Sequence, residues 1–233
     1  MKNFFLFATM LAFSCTAPVL SGETVKEIRN VGQFSAISLT ISADVFLTQG
    51  SVQKIEIEGD KNSLTEIETT VNGETLKICT RDMFHGNIGK VSVYITVPGI
   101  NALSVSGSGD IAAGSAIATD ELDLNVSGSG SIRFSELSAR EVSATITGSG
   151  NIDVSAGKAQ SELDVEITGS GSISAEGFSV PEADVTITGS GSARVWVEKE
   201  LETNITGSGN VAYKGNPLVN ANSTGSGKTR SIQ

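Results

Sequence analysis

One turn is written seven times in this chain. Gly-Ser-Gly recurs with first glycines at Gly107, Gly128, Gly148, Gly169, Gly189, Gly207 and Gly225, and second glycines at Gly109, Gly130, Gly150, Gly171, Gly191, Gly209 and Gly227. Successive copies stand 21, 20, 21, 20, 18 and 18 residues apart, a period in the range that marks stacked coils. Alignment on the first glycine makes the columns readable. Two residues before it stand Val105, Val126, Ile146, Ile167, Ile187 and Ile205, and four before it Leu103, Leu124, Ala144, Val165 and Val185. Four residues after it come Ile111, Ile132, Ile152, Ile173, Ala193 and Val211, and six after it Ala113, Phe134, Val154, Ala175, Val195 and Tyr213. Polar residues fill most places between. Alternation with period two on both sides of the turn predicts strands with one face buried, and β-branched residues beside paired glycines argue against a helix.

Each repeat therefore reads as strand, glycine corner, strand and return segment. A single coil cannot close a core, but stacked coils turn each apolar column into a continuous ladder. Burial of each Val, Leu or Ile contributes roughly 1.5–3 kcal/mol before entropy is set against it, so the ladders can build a core although aromatics are only 5% of residues. The corners need glycine for two reasons: positive φ, and close approach to the neighbouring coil about 4.8 Å away. The serine between them is small, and its hydroxyl is expected to bond to the next rung. A phosphate-cradling loop is excluded as the meaning of the motif, since it would use one such turn ahead of a helix.

Charge and the chain start bound the rest. With 16 Lys and Arg against 26 Asp and Glu the net charge is −10, which argues against nucleic acid. Residues 1–22 read as a secretory signal: Lys2 is the positive end, and Phe4–Phe13 is an apolar run too short to span a bilayer. Cleavage is expected near Ser21 or Gly22. A second reading makes Cys15 a bacterial lipoprotein acceptor, the one route to a membrane. Cys79 is then the only cysteine of the folded part, expected as a small strand residue and not as a reactive thiol.

Residues 23–100 lack the motif but carry strand-like runs at Ala36–Ile41, Val45–Leu47, Lys54–Glu58, Leu76–Cys79 and Val91–Val97, with a hairpin turn at Asn72-Gly73. They are expected to lead into and cap the solenoid as irregular strands, because an open end is an aggregation edge. The repeat solenoid is placed at 101–227, and 30–227 is expected to form one continuous domain. At the far end Ser223 and Thr229 interrupt the ladders, and a polar tail at 228–233 blunts the edge.

The ladder of Gly-Ser-Gly corners, with the lead-in Val97-Pro98-Gly99-Ile100-Asn101, resembles the putative auto-transporter adhesin head (GIN) domain proteins of Bacteroidetes-type bacteria. The resemblance spans roughly Phe34 to Gly227. It implies an all-β, right-handed parallel β-helix with coils of about 20 residues, exported to the cell surface, outer membrane or periplasm of a Gram-negative bacterium or secreted. It also implies a role in adhesion. The chain departs from a complete autotransporter: it carries no heptad stalk and no C-terminal series of barrel strands.

Because this fold shape also hosts polysaccharide lyases, catalytic groups were sought. Five residues before the first glycine, Asp123, Asp164, Asp184 and Glu202 form an outward row interrupted by Ser143, with Glu166 on a neighbouring column. Such a row is either a solvated acidic stripe or a site for a cation such as Ca²⁺, whose ligands are oxygens. Five after the glycine, Arg133, Asp153, Ser174 and Arg194 read as surface salt-bridging. His85 is the only histidine, so neither a zinc site nor a Ser-His-Asp triad is expected. Ser106, Ser127, Thr147, Thr168, Thr188, Thr206 and Thr224 make a hydroxyl column suited to a half-exposed sheet. Its neighbour is broken by Glu166 and Asn204, against an ice-binding face. The reading that follows is a non-enzymatic adhesin binding a surface glycan or protein through flat side faces, without cofactor, with homo-oligomerisation as a further option. A lyase-like enzyme and a purely structural envelope component are the alternatives.

Overall fold

The computed structural model describes residues 24–81 and 88–232; the signal segment 1–22, Cys15 and His85 lie outside them. The described residues join eighteen strands into one sheet wound as a β-solenoid with coils of about 20 residues. The repeat half comprises β8 (Ala102–Gly107), β9 (Asp110–Ala118), β10 (Glu121–Gly128), β11 (Ser131–Gly148), β12 (Asn151–Val154) and β13 (Gly157–Gly169). It continues with β14 (Ser172–Gly189), β15 (Ser192–Gly207), β16 (Asn210–Lys214), β17 (Leu218–Gly225) and β18 (Lys228–Ser231). Every pairing among these strands is parallel, and the register sets Val105, Val126, Ile146, Ile167, Ile187 and Ile205 over one another. All six are at most 2% exposed. The other predicted apolar columns are buried too, except at Tyr213, which is half-exposed beside buried Ala212.

Each coil lays down three parallel segments. Within β11, Ser131–Phe134, Leu137–Ala139 and Glu141–Gly148 are separated by register shifts. The middle segment brings a further inner column of Ile117, Leu137 and Phe178 into the core. The coils of 18 residues lose length here: Ala175 and Ser179 of β14 face consecutive residues of β15, Val195 and Trp196.

At the corner 169–171 the two glycines serve different needs. Gly169 has φ +120°, and a Cβ on it would lie 2.4 Å from the Gly148 carbonyl oxygen one coil below. Gly171 has no such φ, yet its Cβ would meet Ile146 Cγ2 at 2.5 Å. The bond to the neighbouring rung comes from the serine N–H and not from its hydroxyl: Ser170 N donates to Gly148 O at 2.8 Å, and the same contact recurs at Ser129, Ser149, Ser190, Ser208 and Ser226. A backbone donor suits the site because the hydroxyl is left facing solvent.

The parallel ladder extends upstream of the repeats. β2 (Ala36–Leu39) and β3 (Asp44–Gln49) form a rung against β8 and β9. β6 (Thr75–Thr80) and β7 (Ser92–Val97), later in sequence, form the next rung outward. Beyond them the direction reverses. β5 (Ile67–Asn72) pairs antiparallel with β6, and β4 (Lys54–Asp60) antiparallel with β7 and with β1 (Thr24–Arg29). The cap is thus built of regular antiparallel strands, a template that does not continue the parallel stack. The β5–β6 hairpin turns at Gly73-Glu74, with Gly73 at φ +61° as a type II′ turn requires at its first central position. The helix α1 (Lys61–Glu66) plugs the cap with fully buried Leu64. Asp60 caps it by accepting from Asn62 N at 3.0 Å and Ser63 N at 3.1 Å; the Ser63 hydroxyl first, and then these backbone donors, hold the Asp60 carboxyl below its usual range. At the other end Thr203, fully buried in an apolar column, shares a 2.8 Å bond with Thr229 Oγ1, so the last rung closes with polar contacts.

Candidate binding faces

Outward columns follow the same register as the core. Ser106, Ser127, Thr147, Thr168, Thr188, Thr206 and Thr224 stand in one file, all exposed. On the same wall Asp123, Ser143, Asp164, Asp184 and Glu202 are adjacent rung by rung, as the spacing predicts. A second acidic file beside it, Glu121, Glu141, Glu162, Glu182 and Glu200, was not read from the sequence. Its five glutamates all stand seven residues before the first glycine of their corner, so the spacing carries this file as plainly as the first.

The two files differ along their length. Near β10, Arg140 neutralises the strip, reaching Asp120 at 3.1 Å, Glu141 at 2.8 Å, and Glu121. Further on, Glu162, Glu182, Asp184, Glu200 and Glu202 line a cavity of about 120 Å³. Among the described residues no Lys or Arg pairs with them. Burial, then the charges of Glu202 and Asp164, push the Asp184 carboxyl up, and Glu162 rises for the same two kinds of reason. Asp184 Oδ1 is shielded from solvent and accepts no hydrogen bond among the described residues. Yet no three Asp, Glu, His or Cys side chains among these residues are placed to hold a metal ion. The carboxylates stand parallel along the wall and do not converge on a point.

The wall beyond the corner carries mixed charge and, toward the cap, aromatics. Arg133 is held by Asp110 at 3.6 Å and Asp153 at 3.7 Å, and Arg194 by Glu176 at 3.1 Å. Along one cross-strand row the register places Ile28, Glu56, Tyr94, Phe46, Ala112 and Arg133. Ile28, Tyr94 and Phe46 are 62%, 38% and 42% exposed, three large apolar side chains in one outward row. The Phe46 and Tyr94 rings stack with centroids 5.2 Å apart and planes 18° from parallel. Lys26 Nζ lies 5.0 Å from the centroid of the Tyr94 ring, and Tyr94 Oη donates to Glu58 at 3.2 Å. These residues come from strands far apart in sequence, so no periodicity announced the row. Cys79 sits half-buried in β6 with a free thiol.

With this geometry in place, comparison with known proteins decides the family. The family model described as putative auto-transporter adhesin, head GIN domain, matches residues 33–217. The chain belongs to that family. No curated protein matches it. Among solved structures, a putative adhesin from Bacteroides fragilis NCTC 9343 is 23% identical, with TM-score 0.85 over 91% of this chain and 98% of its own. A putative adhesin from Parabacteroides merdae ATCC 43184 is 26% identical, with TM-score 0.73 over the same shares. A protein from Parabacteroides distasonis ATCC 8503 described as a putative lipid binding protein is 20% identical, with TM-score 0.69, again over 91% and 98%. The GIN fold therefore carries names of more than one kind, and the role of this member has to be argued from its own surface. No helix among the described residues is long and apolar enough to cross a membrane.

Proposed function

We propose that this GIN-domain protein is an exported adhesin that acts by contact alone, presenting its rigid side walls to a glycan or protein on another surface. One observation carries the reading: the in-register hydroxyl file from Ser106 to Thr224, a flat polar face seven rungs long on a continuous core. Such a face is held by the ladders beneath it, so little ordering entropy is lost when a large ligand lies on it. The arginines a lyase-like reaction would call on are occupied by carboxylates. The membership in an adhesin family supports the same reading.

The test is retention of beads carrying the mature chain on surfaces coated with epithelial glycans or matrix proteins. Retention above bare beads is expected. Release of unsaturated sugars from an acidic polysaccharide, or no retention on any coating, would count against the proposal.

A further inference from the structure

We infer that the aromatic row near the cap is a sugar-binding platform, and that it takes a neutral hexopyranose unit against the free face of Phe46, over Ala112. This deepens the adhesin reading and rests on it.

The Phe46 ring has two faces. One is covered by Tyr94, whose own far side is approached by Lys26 Nζ. Toward β9 the residue paired with Phe46 is Ala112, whose methyl group is too short to cover a ring. The next outward side chain along the row is Arg133. Two rungs of about 4.8 Å separate the Phe46 and Arg133 backbones, which leaves a slot for one flat ring. Its aromatic wall presents the negative face of a π-system, which attracts the positively polarised C–H bonds on the flat side of a pyranose. Its other wall offers guanidinium donors held by Asp110 and Asp153, whose carboxylates accept from hydroxyls.

Charge selects a neutral sugar. Lys26 is paired with Glu58 at 3.1 Å and Glu56 at 3.5 Å, and Lys54 with Glu56 at 2.7 Å. Arg133 is likewise matched. A uronic acid in the slot would meet an Arg133 already held between two carboxylates, one more anion than cation. A peptide adding a strand is excluded here, because β3 is hydrogen-bonded on both sides, to β7 and β9. On the other side of Tyr94 a cavity of about 310 Å³, near the lower end of small-molecule sites, is lined by Thr24, Glu58, Gly59, Lys90 and Ser92 as well as Tyr94. Hydroxyls, one amine and one carboxylate around an aromatic edge suit a second unit of the same chain.

Saturation-transfer NMR on the mature chain, with gluco-, galacto- and manno-oligosaccharides of about four to six units and matched uronic-acid oligomers, tests this. At least one neutral series should bind, with contacts on ring C–H protons. Phe46→Ala and Ala112→Leu should each weaken it at least tenfold while leaving the circular dichroism spectrum unchanged. Both substitutions lie outside the core, and Ala112→Leu fills the slot while keeping the rings. No neutral binding, tighter binding of uronic oligomers, or equal binding by both variants would overturn the inference. If Phe46→Ala beads still adhere to coated surfaces while no oligosaccharide binds, the platform is lost and the adhesin reading stands.

Discussion

Two corners one rung apart make the same bend with unrelated residues. In the repeat half the chain turns through Ser106, Gly107, Ser108 and Gly109; one rung outward it turns through Thr40, Ile41, Ser42 and Ala43. The flanking register is shared, with Leu39 opposite Val105 and Asp44 opposite Asp110. Ile41 and Ala43 are nevertheless buried at 7% and 3% exposure, and no described non-glycine residue has positive φ. The difference lies in what is stacked outside each corner. Beyond 40–43 the register runs from Leu39 and Asp44 to Ile78 and Ser92, with thirteen residues between those two in place of four. Ile41 and Ala43 seal the end of the core. Gly109, lying against the Thr40–Ala43 corner, already needs its hydrogen: a Cβ would sit 2.4 Å from the Ile41 carbonyl oxygen. The bend can be made without glycine; Gly109 needs its hydrogen because a neighbouring backbone lies underneath, and Gly107 needs it only for its φ of +111°.

The harshest challenge to this picture is a charge in the ladder. Ile167→Asp puts a carboxylate at a fully buried position with apolar residues above and below it. A loss of about 4 kcal/mol or more is expected, a large part of the stability of an ordinary domain. Chemical denaturation would show it as a midpoint lowered by more than about 1 M urea. A midpoint like the parent's would mean that inward and outward columns have been exchanged.

The corners themselves can be graded. Gly169→Ala combines unfavourable φ with a backbone clash, and about 4 kcal/mol is expected from the two together. Gly171→Ala keeps ordinary φ but crowds Ile146 Cγ2 at 2.5 Å and the Gly150 carbonyl oxygen at 2.7 Å, for about 2 kcal/mol. Gly107→Ala has φ +111° but nothing within 4 Å of the new methyl, so about 1 kcal/mol of backbone strain remains. Thermal melts of the three should fall in that order. If Gly107→Ala were as damaging as Gly169→Ala, backbone angle and not the stacked neighbour would govern the repeat.

The same contrast explains how much of the molecule was legible in the sequence. Between Leu103 and Val211 the period is kept, so each column reports its neighbours and the core could be read from letters alone. Upstream the chain order and the spatial order part company: β6 and β7 lie outside β2 and β3 although they follow them. No periodicity encodes that exchange. The row Ile28, Glu56, Tyr94, Phe46 and Ala112 was invisible for this reason, whereas Asp123, Asp164, Asp184 and Glu202 were found at once. The second acidic file was equally legible, since Glu121, Glu141, Glu162, Glu182 and Glu200 all stand seven residues before the first glycine of their corner. Helix α1 left only a short signal, Asp60 followed by Asn62 and Ser63, which a strand-biased reading passed over.

The smallest expected effect concerns that acidic wall, which gains nothing from its like charges where the core gains from its like residues. Asp184→Asn should raise stability by a few tenths of a kcal/mol, screened because the group is only half-buried, and shift the melting temperature up by about 1 °C. The sign of the pH dependence agrees. Asp184 and Glu162 hold their protons more tightly folded than unfolded, so between the ordinary values of 3.8 and 4.5 and their raised ones the native state binds more protons. Stability due to these two groups therefore falls as pH rises through that window, and their penalty is complete above it. Asp60 and Glu56 oppose the trend below the window, because their lowered carboxyls contribute stability that disappears as pH falls through their folded values. A melting temperature that climbs as pH is lowered into the window just above the ordinary carboxylate values, less steeply in Asp184→Asn, is the expected signature. An identical slope in the variant would show that the carboxylates along β13–β15 do not act on one another.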